Sequence, residues 1–258
     1  MNKFPSISNN PTIALIYLTY NRFYYTKETL PALLNSSKYP FKVRIVDNGS
    51  TDETVEFLKE LSHPNIETII FNKKNEGLVK PTKKFWKETD AELVGKIDND
   101  ILVPKGWIST LIEAHKKIPE LGVAGFCHFR KEDFNNDIVR NKVLEKNGTY
   151  LRGQPWIGGN YLMKSIHINK FFKRYSRSWK FLSNRSFHGF TKFQRILTEN
   201  GLLNGYVCDQ EKNLLFWEHI DDPRNSCFQI KSDYKNRIMD EDIIEWYKRD
   251  ATNLLEKY

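Results

Sequence analysis

Cysteine is scarce: only Cys127, Cys208 and Cys227 occur among 258 residues. Odd in number, widely spaced and without a C-x-x-C pair, they fit neither a disulfide framework nor a zinc knuckle. Reduced core thiols in a cytosolic protein are the expectation. Long apolar runs are also missing. No stretch approaches the roughly 18 residues that a membrane helix needs, and the N-terminus shows no charged-then-apolar signal pattern. Neither G-x-G-x-x-G nor G-x-x-x-x-G-K-[ST] occurs, so dinucleotide hydride chemistry and P-loop ATPase chemistry both lack their phosphate cradles. Internal repeats and low-complexity tracts are absent as well.

What is present reads as a soluble globular chain, 40% hydrophobic and 28% charged, of a size for one domain or two lobes sharing a core. The formal charge of +8 favours an anionic partner: nucleotide, nucleic acid or acidic lipid surface. Strands are expected at 12–18, 41–47, 66–71, 92–98 and 122–126, and helices at 28–34, from 50, at 81–87 and after Pro104. Ser50-Thr51-Asp52-Glu53 has the form of a capping box, with Ser50 as the cap. Such alternation at this spacing indicates βαβ units and a mainly parallel sheet. Residues 133–153 read as a polar loop, Trp156-Ile157-Gly158-Gly159-Asn160 as a tight glycine turn, and the last 20 residues as an amphipathic helix.

Lys96-Ile97-Asp98-Asn99-Asp100 is the most informative segment. Side chains alternate along a strand, so Asp98 and Asp100 project to one side at its C-terminal mouth. Two hard oxygen ligands there suit a divalent cation carrying a diphosphate. Two aspartates near a turn also serve as solvated turn formers, so the pair needs company. It has some: Thr19-Tyr20-Asn21-Arg22 and Asp47-Asn48-Gly49 fall at the ends of two other strands, where open α/β sheets bind ligands.

The ordered set T-Y-N-R (19–22), V-D-N-G-S-T-D (46–52), N-E-G (75–77), D-N-D (98–100), W-I-G-G-N (156–160) and E-H (218–219) resembles the family 2 glycosyltransferases of GT-A fold. The resemblance covers about residues 12–223. It implies an α/β, Rossmann-like nucleotide-diphospho-sugar transferase fold with a mixed, mainly parallel sheet flanked by helices. Residues 1–225 would form the transferase domain, with 12–126 the nucleotide-sugar half and 127–225 the acceptor half. A helical extension would occupy 226–258.

By the same resemblance, Thr19, Tyr20, Asn21, Arg22 and Asp47 would surround base and ribose. Asn75, Gly77 and Lys80 would close over the nucleotide, with Asn99 nearby. Asp98, Asp100 and His219 would hold Mn²⁺ or Mg²⁺, with Asp100 counted as catalytic too. Trp156 beside Gly158 and Gly159, with Asn160, reads as a sugar-stacking platform for the acceptor, and Trp156 equally as a core residue. Asp47 reads either as a base-binding carboxylate or as a turn cap ahead of Gly49.

The family's acidic general base has no counterpart. Upstream of Arg195-Ile196-Leu197 and Gly201 stands Phe187-His188-Gly189-Phe190-Thr191, which makes His188 the candidate base, with Glu132, Asp133 and Asp209 as fallbacks. The aromatic and basic stripe at 168–182 reads either as a core-packing helix or as a peripheral contact with the inner face of a membrane. The implied activity is metal-dependent, inverting transfer from a nucleotide-diphospho-sugar, UDP-linked by preference, to a glycan or lipid-linked acceptor in polysaccharide biosynthesis. Rival readings are a degenerate nucleotide-binding transferase, a sugar-phosphate nucleotidylyltransferase and a nucleic-acid-binding module; no nucleic acid is expected.

Overall fold

The structure is a computed structural model that describes residues 4–171, 188–220 and 243–257. Strands β1 (Ile13–Thr19), β2 (Lys42–Asp47), β3 (Ile66–Phe71) and β4 (Leu93–Asp98) alternate with helices α1 (Phe23–Leu34), α2 (Thr54–Glu60) and α3 (Val79–Glu88). A two-residue strand β5 (Ile101–Leu102), helix α4 (Trp107–Lys117) and strand β6 (Leu121–Gly125) follow. Next come α5 (Asn136–Arg140), the hairpin β7 (Val143–Lys146) and β8 (Thr149–Gly153), and β9 (Tyr161–Lys164). Helix α6 (His188–Glu199), strands β10 (Leu203–Cys208) and β11 (Glu218–His219), and helix α7 (Ile243–Lys257) follow among the described residues.

Nine strands form one sheet in the order β3-β2-β1-β4-β9-β6-β10-β8-β7. Strands β1 to β4 pair in parallel, whereas β9 runs antiparallel between β4 and β6. Every residue of β1 is buried, as expected of a central parallel strand covered on both faces. The two faces carry separate cores. One gathers Leu30, Leu33, Leu58, Trp107 and Leu111 from α1, α2 and α4. The other gathers Phe85, Trp86, Phe193, Leu197, Tyr247 and Leu254 from α3, α6 and α7.

Three local expectations need correction. Ser50 does not cap α2, which begins at Thr54 without a side-chain cap on its preceding residue. The Ser50 hydroxyl donates to Asp47 instead, and Asp52 Oδ1 accepts from the Thr54 amide at 3.1 Å. Helix α1 starts at Phe23, five residues earlier than expected, because Asp52 Oδ2 accepts from the Phe23 amide at 2.9 Å. That cap comes from across the fold, where a local reading cannot see it. The expected loop at 133–153 contains α5 and the β7–β8 hairpin, turned at Asn147 (φ 49) and Gly148 (φ 67). Its strands are short, and most of β7 is exposed, so no apolar alternation marks it.

Candidate active site

The parallel sheet changes direction between β1 and β4: chain order runs outward to β2 and β3 on one side, then returns to β4 on the other. Such a switch point opens a crevice beyond the strand ends. The T-Y-N-R turn leaves β1 there and the D-N-D turn leaves β4. The two are sewn together. Asn99 Nδ2 donates to Thr19 Oγ1 at 3.2 Å, Thr19 bonds Thr26 at 2.8 Å, and the Asn99 carbonyl accepts from Thr29 at 3.0 Å. Thr19 and Asn99 are buried, so their side chains brace the crevice floor. Tyr20 is exposed.

Arg22 lies against Asp100, its Nη1 2.9 Å from Asp100 Oδ2 and 3.2 Å from Asn99 Oδ1. Lys96, buried on the strand, is paired with Asp98. Each carboxylate of the D-N-D turn thus already has a cationic partner. Among the described residues no three His, Cys, Asp or Glu side chains stand close enough together to cage a metal ion.

The short ribbon β5–β11 supplies the third member. It pairs His219 with Ile101, and the Ile220 amide donates to the Asp100 carbonyl at 3.3 Å, which sets His219 beside the turn. One ring nitrogen of His219 donates to the backbone carbonyl of His128, and its Nε2 is sealed from solvent with no hydrogen-bond partner. Burial lowers its pKa; Asp100 and, more weakly, Asp98 push it back up. A neutral imidazole with one N–H fixed on a carbonyl and the other nitrogen unoccupied is how ligating histidines are held. A buried polar atom without a partner is costly. To hold a divalent ion with mixed oxygen and nitrogen ligands, the two carboxylates and that nitrogen would have to draw closer together than they stand here.

On the other flank Asp47 is buried, and its Oδ2 accepts from the amides of Gly49 (3.1 Å) and Ser50 (3.0 Å). The turn-capping role is therefore present in the structure. Asn21 takes a left-handed conformation (φ 48) and accepts from the Thr51 amide at 2.7 Å, tying the two loops together. Asn48 Nδ2 reaches the Gly77 carbonyl at 3.1 Å, and Asn75 Oδ1 accepts from the Gly77 amide at 2.8 Å. Lys80 is exposed and paired with Glu76.

The glycine turn lies between β4 and β6, leading into β9. Asn160 Oδ1 accepts from the Asp98 amide at 2.6 Å. A Cβ on Gly159 (φ +54) would come 2.5 Å from Asp98 Oδ2, and one on Gly158 would come 2.7 Å from His128 Nδ1. Only glycine permits both approaches. Helix α6 secures the turn through Gln194, which accepts from the Ile157 amide at 2.5 Å and donates to its carbonyl at 3.1 Å. Trp156 is half-buried, its ring 5.8 Å from that of His128.

His188 is the first residue of α6, and its side chain lies outside the described part. Asp133 carries a carboxyl raised by burial and by Glu132, whereas Asp209 is committed to a turn, accepting from the Asn213 amide at 2.8 Å. Of the 168–182 stripe, Ile168 and Phe171 are buried in the core and 172–182 lie outside the described residues.

His128 escaped the sequence reading. Only its place directly after a buried strand, in Phe126-Cys127-His128-Phe129, could have flagged it. Burial and the neighbouring His219 lower its pKa to about 3, with Asp98 opposing.

The architecture and the crevice define the GT-A class of transferase fold. The chain belongs to the glycosyl transferase family 2, which it matches over residues 15–190. A mannosyltransferase from Pyrobaculum calidifontis, solved with GDP-Man and Mn²⁺, superposes at a TM-score of 0.63 with 19% identity, covering 88% of this chain and 62% of that one. TarS from S. aureus (residues 1–349), also solved with UDP-GlcNAc, gives 0.54 at 16% identity, covering 92% of this chain. Its own chain is covered to 68% and, in the UDP-GlcNAc complex, 69%. At these identities the likeness concerns the fold.

In sequence, an uncharacterized glycosyltransferase of Haemophilus influenzae is 23% identical over 155 residues, 54% of this chain. Another, from Rickettsia bellii, is 26% identical over 101 residues, 39% of this chain. The chain spans 48% and 14% of the lengths of these two relatives.

Proposed function

We propose that this chain is a metal-dependent, inverting glycosyltransferase. It would move a sugar from a nucleotide-diphospho-sugar, UDP-linked by preference, to a hydroxyl of a glycan or lipid-linked acceptor. The observation that carries the reading is the sealed, partnerless Nε2 of His219, on the ribbon that adjoins the D-N-D turn at the switch point. The fold neighbours bound to GDP-Man and UDP-GlcNAc support the donor class.

Asp98, Asp100 and His219 would hold Mn²⁺ or Mg²⁺, and the ion would neutralise charge growing on the leaving diphosphate. Asp47, Asn75, Gly77 and the loops around them would enclose the nucleotide, with Lys80 and Tyr20 at the rim. Arg22 and Lys96 pair with the two carboxylates and keep them in place before a donor arrives. The glycine turn 156–160 would receive the acceptor. His188 would take the proton from the acceptor hydroxyl as its oxygen bonds to the anomeric carbon and the diphosphate departs from the opposite face.

Asp133 is the second candidate base, favoured by its raised carboxyl and by a buried Oδ2 without a partner. The free, buried thiols of Cys127 and Cys208 suit a reducing, cytoplasmic setting. Among the described residues no helix is long and apolar enough to cross a membrane, and the proposed peripheral contact rests on residues mostly outside them.

The test is nucleoside diphosphate release from a panel of sugar nucleotides with Mn²⁺. D98A and D100A should abolish it, H188A should lower turnover by about 10²–10⁴-fold, and D133N should leave it intact. Unchanged release by both aspartate variants in EDTA would remove the metal mechanism. Loss with D133N but not H188A would reassign the base. A nucleic-acid-binding module would instead bind DNA or RNA with steep salt dependence and ignore Mn²⁺.

A further inference from the structure

We propose that His128 is a sugar-contacting residue, donating a hydrogen bond from Nε2–H to a hydroxyl of the transferred sugar, with Tyr206 fixing the tautomer. The inference rests on the donor-binding reading above.

The hydrogen-bond pattern assigns the proton. His128 Nδ1 lies 2.7 Å from the Tyr206 hydroxyl. Tyr206 is buried at the end of β10, and the Gly158 amide also acts on its oxygen. If Nδ1 carried the proton and donated to that oxygen, the phenol proton would be stranded in the core. Buried donors in folded proteins are rarely left so. The phenol therefore donates to Nδ1, and the imidazole proton sits on Nε2. That nitrogen has no hydrogen-bond partner among the described residues and is not sealed from solvent. It is an N–H donor waiting for an oxygen.

Its location selects which oxygen. Strands β4 and β6 flank β9 and both end at the same edge of the sheet. Asp98 closes the first, and His128 stands three residues past the second. Gly159 backs onto the Asp98 carboxylate and Gly158 onto the His128 ring, so one two-glycine step separates the diphosphate-holding pair from this imidazole. The His128 carbonyl also holds the His219 ring. A sugar bonded to a diphosphate at Asp98, Asp100 and His219 would reach this position next. Beside the donor the Trp156 ring stands 5.8 Å away. A polar hydrogen beside an aromatic ring is the usual combination for a pyranose, whose hydroxyls need partners and whose C–H faces stack.

The experiment compares Mn²⁺-dependent affinity for GDP with GDP-mannose, and for UDP with UDP-GlcNAc, in wild type, H128L, H128Q and Y206F. Leucine and glutamine fill the space against Gly158, and glutamine keeps an N–H donor without supplying a base. Wild type should bind the matching sugar nucleotide more tightly than its diphosphate. H128L should keep diphosphate affinity and lose about tenfold of the sugar's added affinity, the scale of one hydrogen bond. H128Q should retain most of that gain. Y206F should lose part of it with diphosphate affinity unchanged, a split that a packing defect would not produce.

An unchanged sugar gain in H128L overturns the proposal. A fall in Mn²⁺-dependent diphosphate affinity in H128L overturns it in favour of a metal contact. Equal loss of turnover in H128Q and H128L, with affinities intact, overturns it in favour of a general base. Absence of any nucleotide binding by wild type would sink the parent reading itself, an outcome distinct from loss of the sugar gain alone.

Discussion

His219 is the residue on which the candidate site turns, because its two ring nitrogens have different fates. One is fixed on the His128 carbonyl and the other is sealed without a partner. H219A should therefore weaken Mn²⁺ and nucleotide affinity together, measured by titration calorimetry, whereas loss of melting temperature alone would mark a packing role. Asp47 gives a mixed forecast. Its bonds to the Gly49 and Ser50 amides mean that D47A should lower stability by about 1–3 kcal/mol and reduce donor affinity about tenfold or more if it also meets the base. Unaltered affinity with lowered stability would leave only the turn cap. At this scale the two aspartates of D-N-D were legible as a motif at a strand end, although β4 stops at Asp98 and Asp100 lies in the turn beyond it. Their cationic partners were not. Lys96 shares a strand face with Asp98 and is locally readable in hindsight, but Arg22 reaches Asp100 across 78 positions. His128 belonged to no motif at all.

Among the elements, α6 and the 156–160 turn are coupled through one side chain. Gln194 satisfies both the amide and the carbonyl of Ile157, and it is itself buried. Q194L should strand both backbone groups, costing about 1–3 kcal/mol for each group left unsatisfied, and should loosen the 156–160 turn. A urea midpoint equal to wild type would contradict this. Helix α7 is anchored at its far end by Arg152, which donates to the Leu255 carbonyl at 3.0 Å, and by Lys142, which reaches the Leu255 and Glu256 carbonyls at 2.5 and 3.0 Å. Cations at exposed carbonyls are favourable at a helix C-terminus. The helices and parallel strands were legible through apolar periodicity and strand–helix alternation. Ser50 misled because its pattern fits a capping box, yet the nearby Asp47 carboxylate competes for its hydroxyl. Asp52 caps two helices from different loops at once, and only the folded arrangement of those loops reveals it.

The whole molecule is a sheet with two cores, and its buried histidines set its behaviour in acid. Burial, reinforced by Lys164, lowers His115 to about 3 and His167 to about 4. Both depart downward from an ordinary value near 6.5. Unfolded chain takes up these protons below about pH 6.5 while folded protein does not, so stability present above that pH is lost as pH falls toward 4. The slope approaches about 1.4 kcal/mol per pH unit for each such histidine. Urea midpoints should decline between pH 7 and 5, before ordinary carboxylates titrate; a flat profile there would contradict the burial of these rings. At this scale the mainly parallel sheet could be read in advance, whereas β9 could not. A four-residue antiparallel strand inserted between β4 and β6 is defined by long-range pairing, and the glycine turn before it does not say where it pairs. That insertion brings the glycine turn against Asp98 and so completes the crevice. In the proposed function this crevice binds a sugar nucleotide through a divalent ion. The most direct measurement is thermal denaturation with UDP, GDP, UDP-GlcNAc and GDP-mannose, each with Mn²⁺ and with EDTA, for wild type and D100A. At about 100 times its dissociation constant a ligand of the folded state adds roughly 2.7 kcal/mol, or about 5–10 °C for a chain of this size. That shift is expected for at least one nucleotide in wild type with Mn²⁺, and none in EDTA or in D100A. An equal shift in EDTA and in D100A, or no shift with any nucleotide, would contradict it.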